Sequence, residues 1–217
     1  MGTRRTAGSA VCLCLAVASA GFAQGKGRRA DFGVLGGASF DKPGGSDTQQ
    51  VDGSYTGFAV GGFVGLQVTP GFAIEPEVLY VQKGIKLDAT AGNAKVKIPY
   101  FEIPVLAKFR IAAKGQSIVS PHLYAGPALA FKAGCHVKGT GSTGTISEPC
   151  DAAGIDVRIK STDFSLAFGG GVDVGRAIID VRYDLGLSKI GDDPSGNNDV
   201  KNRTLYLLAG WTFRAPH

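Results

Sequence analysis

The stretch Tyr100-Phe-Glu-Ile-Pro-Val-Leu-Ala-Lys-Phe-Arg110 decides the fold, together with Pro76-Glu-Val-Leu-Tyr-Val-Gln-Lys-Gly84 before it. One phase of its period-2 pattern is wholly apolar and comprises Phe101, Ile103, Val105, Ala107, Phe109 and Ile111. The other phase carries Glu102, Lys108 and Arg110. Successive side chains of a strand point to opposite faces, so this alternation predicts two β-strands.

The same alternation recurs along the chain and predicts eight strands. The opening pair supplies two of them, one on each side of the polar stretch 88–97. The other six predicted strands are 30–40, 54–68, 119–133, 160–174, 177–187 and 203–213. Connectors 41–53, 88–97, 134–159 and 188–202 are long, whereas 69–71, 112–117 and 175–176 are short. Every second connector of an up-and-down barrel lies at the same end. The sequence therefore predicts an all-β, eight-stranded antiparallel up-and-down transmembrane barrel with long loops at one end only.

Residue size indicates which phase of the strands faces the lumen. The charged phase is also the small phase, with Gly126, Ala128 and Ala130 on one strand and Ala167, Gly169 and Gly171 on the next. The lumen of an eight-stranded barrel is barely wide enough for its own side chains, so the small phase is expected inside and the aromatic phase against lipid. The expected polar network of the barrel interior comprises Glu75, Glu77, Lys83, Glu102, Lys108, Arg110, Asp173, Asp180, Arg182 and Asp184.

Composition and charge exclude several classes of protein. The chain has 217 residues, 33 of them glycine, only 19% charged residues, and a single Met and a single Trp, which argues against a helical bundle. The formal net charge is +5, and the basic residues are scattered among acids. We therefore expect no nucleic-acid partner, because such binding needs clustered basic residues.

The N-terminus has the layout of a secretory signal peptide. Arg4 and Arg5 precede an apolar run over 7–20, which is followed by small residues that fit cleavage after Ala20 or Ala23. A run of this length is shorter than the ~20 residues that a membrane-spanning helix needs. The expected organisation is a signal peptide at 1–23, a flexible leader at 24–29, a barrel domain at 30–213 and a tail at 214–217.

Two cysteines, Cys135 and Cys150, lie beyond the expected signal peptide. An even pair in an exported chain favours a disulfide, with free thiols as the alternative. A metal site that adds His136 and Asp151 lacks the spacing of known metal motifs, so we expect no metal.

Several motifs occur together and in order along the chain. They are Pro76 to Gly84, Glu102-Ile-Pro-Val-Leu-Ala-Lys-Phe-Arg110, Tyr124-Ala-Gly-Pro127, Asp180-Val-Arg-Tyr-Asp-Leu-Gly-Leu187 and Asn202-Arg203. The set resembles the PorT-like bacterial outer-membrane β-barrel family over 58–213. The resemblance implies an eight-stranded barrel in the outer membrane, with no catalytic residues to carry over.

The sequence therefore predicts a bacterial outer-membrane barrel with a structural or interaction role through its extracellular loops. Eight strands leave no aqueous channel, so an open pore is not expected. The expected partners are outer-membrane lipid and a protein or surface ligand at 134–159 and 188–202; no cofactor and no enzymatic activity are expected. Two alternatives are a soluble lipocalin-like barrel that binds a small ligand and a lipid-modifying enzyme that would use His136. A calcium site among the acids of 192–199 is a minor further possibility.

Overall fold

The computed structural model describes residues 30–42, 44, 54–89, 92–111, 118–141, 144–150, 161–188 and 201–214. All of its named elements are β-strands. They are β1 (Ala30–Asp41), β2 (Tyr55–Thr69), β3 (Phe72–Ala89), β4 (Gly92–Arg110), β5 (Val119–Lys132), β6 (His136–Gly141), β7 (Gly144–Pro149), β8 (Thr162–Val174), β9 (Ala177–Gly186) and β10 (Arg203–Arg214). In these described ranges no helix is long and apolar enough to cross a membrane.

Eight of these strands close into an antiparallel barrel. Each strand pairs with its neighbour in the ring β1-β2-β3-β4-β5-β8-β9-β10, and the ring closes because β1 pairs with β10. The predicted eight-stranded antiparallel barrel is confirmed. The turns 70–71 and 175–176, the end of β4, the start of β5, the start of β1 and the end of β10 lie at one end of the barrel, which we call the turn end; the opposite end is the loop end. Gly175 has φ 64°, a left-handed conformation that glycine adopts without strain, as the two-residue turn between β8 and β9 requires.

The aromatic and aliphatic phase lies on the outside of the barrel, as the sequence predicted. Phe101 and Phe109 on β4 are 48% and 56% exposed, while Leu106 between them is fully buried. The stretch from Phe101 to Phe109 matches the ~9–11 residues with which a tilted strand crosses a bilayer.

Two belts of outward-facing aromatic side chains border this apolar band. The loop-end belt comprises Phe58, Tyr80, Phe101, Phe131 and Phe164, and the turn-end belt comprises Phe32, Phe72, Phe109, Trp211 and Phe213. Neighbouring rings touch within each belt: the Phe72 and Phe109 ring centroids are 4.8 Å apart, and those of Tyr80 and Phe101 are 5.6 Å apart. Between the belts, the exposed side chains of the described strands include no Lys, Arg, Asp or Glu. Aromatic girdles around an uncharged band are typical of barrels that face lipid.

Two stretches that the sequence predicted as loops contain β-strands instead, so these two predictions are wrong. The stretch 88–97, predicted as a polar loop, is almost entirely strand, because β3 continues to Ala89 and β4 begins at Gly92. The stretch 134–159, also predicted as a loop, contains the hairpin of β6 and β7. Strand β6 pairs with the loop-end part of β4, from Asn93 to Lys97. The sheet therefore continues beyond the barrel at the loop end, on the side of β3 and β4.

Other predicted segments lie outside the described residues. These are the signal peptide 1–23, the leader 24–29, most of the connector 188–202 and residues 215–217 of the tail. The acids considered for calcium, at 192–199, lie there as well.

Candidate functional site

The lumen is the first candidate site, because the alternation places the ionisable residues there. All ten residues of the expected network are in the described strands on the inward phase; Arg110 and Asp173, near the turn end, are half-buried and the other eight are buried. An isolated charge buried in the lumen would be strongly unfavourable, so each of these residues needs a partner of opposite charge or a hydrogen bond.

Near the turn end, lysine and carboxylate pair between neighbouring strands. Lys108 Nζ lies 3.2 Å from Glu75 Oε1 and 3.3 Å from Oε2, with both side chains buried. Arg110 Nε donates to Asp173 Oδ2 at 3.4 Å, which joins β4 to β8. The inward charges of Lys108 and Arg110 are therefore each compensated by a carboxylate at this end of the lumen.

His122 links two carboxylates at the same end. Its Nε2 lies 2.6 Å from Asp180 Oδ1, and its Nδ1 lies 3.4 Å from Asp173 Oδ1. The imidazole is fully buried, and its ring is stacked with the ring of Tyr124. A side chain at Gly171 would collide with the Asp180 carboxylate, so the small residue leaves room for this pair. His122 therefore joins β5, β8 and β9 in one polar cluster.

At mid-lumen an ion pair crosses the barrel from wall to wall. Arg182 Nη1 and Nη2 each lie 2.7 Å from an oxygen of Glu77, in a bidentate geometry with both side chains buried. Arg182 is on β9 and Glu77 on β3, and four steps around an eight-membered ring separate these strands, so they are diametrically opposite. The guanidinium also lies over the ring of Tyr124, 5.2 Å from its centroid. Paired planar donors and acceptors make this the strongest type of charged hydrogen bond.

Nearer the loop end a second bond crosses the lumen. Tyr206 on β10 donates its hydroxyl to Glu102 Oε2 at 3.0 Å, and β10 and β4 are again diametrically opposite. Glu102 also pairs with Lys83 on the neighbouring strand β3. Asp184 is also buried at this level, near the charged groups of Glu102, Lys83 and Arg182. Bonds join opposite walls at two levels, and the lumen of an eight-stranded barrel is only wide enough for its own side chains, so the barrel is not an open pore.

Several interior residues were not in the expected network. His122, Tyr124 and Tyr206 are buried members of it, and Asp41 accepts a hydrogen bond of 2.8 Å from Thr204 between β1 and β10. Asp163 accepts a bond from Asn202 Nδ2 at 2.9 Å at the mouth of the lumen. The signal for all of them was their phase, since each alternates with lipid-facing neighbours as the predicted members do.

The second candidate site is the sheet extension at the loop end. Cys135 and Cys150 form a disulfide, with their Cα atoms 5.5 Å apart, and it links the two ends of the β6–β7 hairpin. Cys150 packs in an apolar cluster with Val96, Ile98 and Val137. Lys138 and Glu148 on this hairpin are exposed. His136, which the enzymatic alternative requires, is exposed at the start of β6.

The geometry defines the class of protein: a closed eight-stranded barrel with an apolar, aromatic-bordered outer surface and a lumen filled with its own side chains. A family model described as "Outer membrane protein beta-barrel domain" matches residues 22–192. The chain belongs to this outer-membrane β-barrel family, and its location is the bacterial outer membrane.

Solved structures of similar shape are also outer-membrane proteins. Neisserial surface protein A is 20% identical, with a TM-score of 0.45 and coverage of 86% of this chain and 99% of that one. Ail, the attachment invasion locus protein of Yersinia pestis, solved with the heparin analogue sucrose octasulfate, is 19% identical, with a TM-score of 0.43 and coverage of 86% and 99%. OprG of Pseudomonas aeruginosa is 13% identical, with a TM-score of 0.40 and coverage of 87% and 95%. No curated protein matches the chain. Because these scores are all below 0.5, the assignment depends on the strand pairing and the family match.

Proposed function

We propose that this protein is a non-conducting outer-membrane scaffold that acts through the structures at its loop end. The observation that carries the proposal is the Arg182–Glu77 pair, which joins opposite walls of a lumen that Tyr206 and Glu102 bridge again nearer the loop end. A lumen filled in this way has no role in transport of solutes. The surface that remains for molecular contact is the loop end, which faces the outside of the cell in barrels of this type.

The contact surface in this proposal includes the stretches 134–159 and 188–202. In the first, the β6–β7 hairpin is held at three points: by pairing with β4, by the Cys135–Cys150 disulfide, and by the cluster around Val137. A preorganised surface loses less conformational entropy when a partner binds. The partner in this proposal is a protein or surface ligand outside the cell.

The alternative of a soluble lipocalin-like binder is not favoured. Such a barrel needs an apolar cavity inside and polar residues outside. Here the fully buried side chains include Arg182, Lys108, Glu77 and Glu102, and the exposed side chains between the two aromatic belts include many Phe, Val, Leu and Ile residues. We propose that the protein has no catalytic residues and no cofactor, and that the ten expected network residues fill and brace the lumen.

We also propose a finer family and an organisation for the chain. The motifs from Pro76 to Gly84 and from Glu102 to Arg110, with those around Tyr124 and Asp180, support membership of the PorT-like group. The proposed organisation is a cleaved signal peptide at 1–23, a leader at 24–29, the barrel at 30–213 and a tail at 214–217.

Two measurements test the proposed function. In planar bilayers the purified chain is expected to give no stable ion conductance; a steady conductance would contradict a closed scaffold. In Gram-negative cells that produce the protein, a photoreactive amino acid at residue 138, exposed on β6, is expected to form adducts with an external molecule. The matched control is residue 176 in the exposed turn at the opposite end. Adducts of the same kind and yield from both positions would contradict a role for the loop end.

A further inference from the structure

Three basic residues lie together on the outer face of the barrel where β1 and β10 reach the loop end. Asp41 pairs with Thr204, and Gly44 pairs with Lys201 in an isolated bridge, so the register of the two strands continues past their ends. This register places Lys42 opposite Arg203, with Lys201 opposite Gly44. All three cations are on the outward phase, and we call them the basic triad.

The backbone around the triad is held by four hydrogen bonds, three of which cross between the two segments. Lys42 N donates to Arg203 O at 2.9 Å, Gly44 N donates to Lys201 O at 2.9 Å, and Lys201 N donates to Gly44 O at 2.7 Å. On the other side of β10, Gly186 N donates to Asn202 O at 2.8 Å. The backbone that carries the three cations is therefore held in place by hydrogen bonds to neighbouring strands.

Gly44 supplies the space in which the Arg203 side chain lies. A Cβ atom at residue 44 would collide with Nε, Cδ and Cζ of Arg203. The guanidinium group thus lies across the backbone of Gly44, on the same face as Lys42 and Lys201. The absence of a side chain at this position lets the Arg203 side chain lie over Gly44, the residue that pairs with Lys201.

The triad lies just beyond the loop-end edge of the lipid-facing band. Phe40 and Leu205, the nearest outward residues within β1 and β10, are 37% and 39% exposed, and each is two positions from a cation of the triad. Two residues of antiparallel strand span about 7 Å. That distance is the step from the hydrocarbon region to the headgroups, so the triad is at the depth of the outer-leaflet headgroups.

This placement has an electrostatic cost that calls for an anion. Like charges that face each other across a strand pair are destabilising. Among the described residues, none of the three cations forms an ion pair with a carboxylate. An anionic group at this place would relieve the repulsion among the three cations.

We propose that the basic triad binds a phosphate group on the headgroup of an outer-leaflet glycolipid. The planar Arg203 guanidinium can donate two parallel hydrogen bonds to phosphate oxygens, and Lys42 and Lys201 add point charges. A lipid is favoured over a soluble anion because the site is continuous with the lipid-facing surface. An acyl chain can lie along Phe40 and Leu205 while the phosphate contacts the cations.

The test is a lipid titration of the full chain folded in detergent micelles. Bound lipid is counted by native mass spectrometry with a bis-phosphorylated lipid A and with the same lipid after removal of its phosphates. Each basic residue near an anionic headgroup is expected to contribute about fivefold in affinity, so Lys42→Gln with Arg203→Gln is expected to weaken binding of the phosphorylated lipid about thirtyfold. Arg176→Gln, which removes an exposed cation at the turn end, is expected to leave the affinity unchanged.

Heat-modifiable gel mobility shows whether each variant still forms the barrel. If the double variant does not, Lys42→Gln alone is expected to show a loss of about fivefold. Equal affinities for the two lipids, or an unchanged affinity in the variants, would overturn the proposal. Displacement of the phosphorylated lipid by inorganic phosphate at equal concentration would also overturn it, because a site for free anions needs no lipid.

Discussion

The lumen and the loop-end hairpin are both stabilised by contacts between distant parts of the chain, but by different means. In the lumen, charged side chains reach each other across the barrel, as in the Arg182–Glu77 pair, whose members are 105 residues apart. In the hairpin, a covalent bond between Cys135 and Cys150 and a small apolar cluster hold strands that are neighbours in sequence. The lumen therefore stabilises the whole barrel, whereas the disulfide stabilises one local unit.

This difference predicts where a change will be felt. Removal of a lumen partner leaves a buried charge and should weaken every strand together. Removal of the hairpin constraint should leave the ring of eight barrel strands unaltered. The single tryptophan, Trp211 on β10, provides a fluorescence signal for unfolding of the barrel.

The largest expected effect is that of Glu77→Gln. This change leaves the buried Arg182 guanidinium without its charged partner and is expected to lower the free energy of unfolding by about 3–5 kcal/mol. Urea unfolding of the folded protein in lipid vesicles, followed by Trp211 fluorescence, measures the loss. Glu148→Gln on the exposed hairpin is the matched control, with no expected loss. A similar small effect from both changes would show that the cross-lumen pair does not stabilise the barrel.

A charge on the lipid-facing surface ranks second. Val105 lies midway between Phe101 and Phe109 on β4, and Val105→Lys is expected to cost about 2–4 kcal/mol in the same unfolding assay. The matched control, Val68→Lys, is exposed near the turn end of β2, where the cost is expected to fall to about 0–1 kcal/mol. Equal costs at the two depths would contradict the position of the membrane that the aromatic belts indicate.

Tyr206→Phe is expected to have a smaller effect. It removes the hydroxyl that donates to Glu102 across the lumen while it keeps the ring, and the loss of a buried charged hydrogen bond is expected to cost about 1–3 kcal/mol. Tyr80→Phe on the outward face is the matched control and is expected to be near neutral. If the two variants unfold at the same urea concentration, the second cross-lumen bond has no stabilising role.

The alternation of residues 100–111 predicted the barrel and its inward phase because strand period and face are local properties of the sequence. The pairing of Arg182 with Glu77 and of His122 with Asp180 was not predicted, since those contacts depend on ring closure and on strand tilt. The β6–β7 hairpin was not predicted for a different reason. Gly139, Gly141 and Gly144 give it the composition of a loop, and its strands form against the extended β4 and the disulfide.

The smallest expected effect on the barrel is that of the paired change Cys135→Ser with Cys150→Ser. A disulfide that closes a loop of 15 residues removes about 3 kcal/mol of loop entropy, but only within the hairpin. The urea midpoint of the Trp211 signal is therefore expected to stay constant. Amide hydrogens of β6 and β7 are expected to exchange faster, and trypsin is expected to cut sooner after the exposed Lys138. The same exchange rates for the hairpin in both proteins would show that β4 and the apolar cluster hold it without the covalent bond. An unfolding midpoint that moves with the hairpin rates would show that the two regions form one cooperative unit.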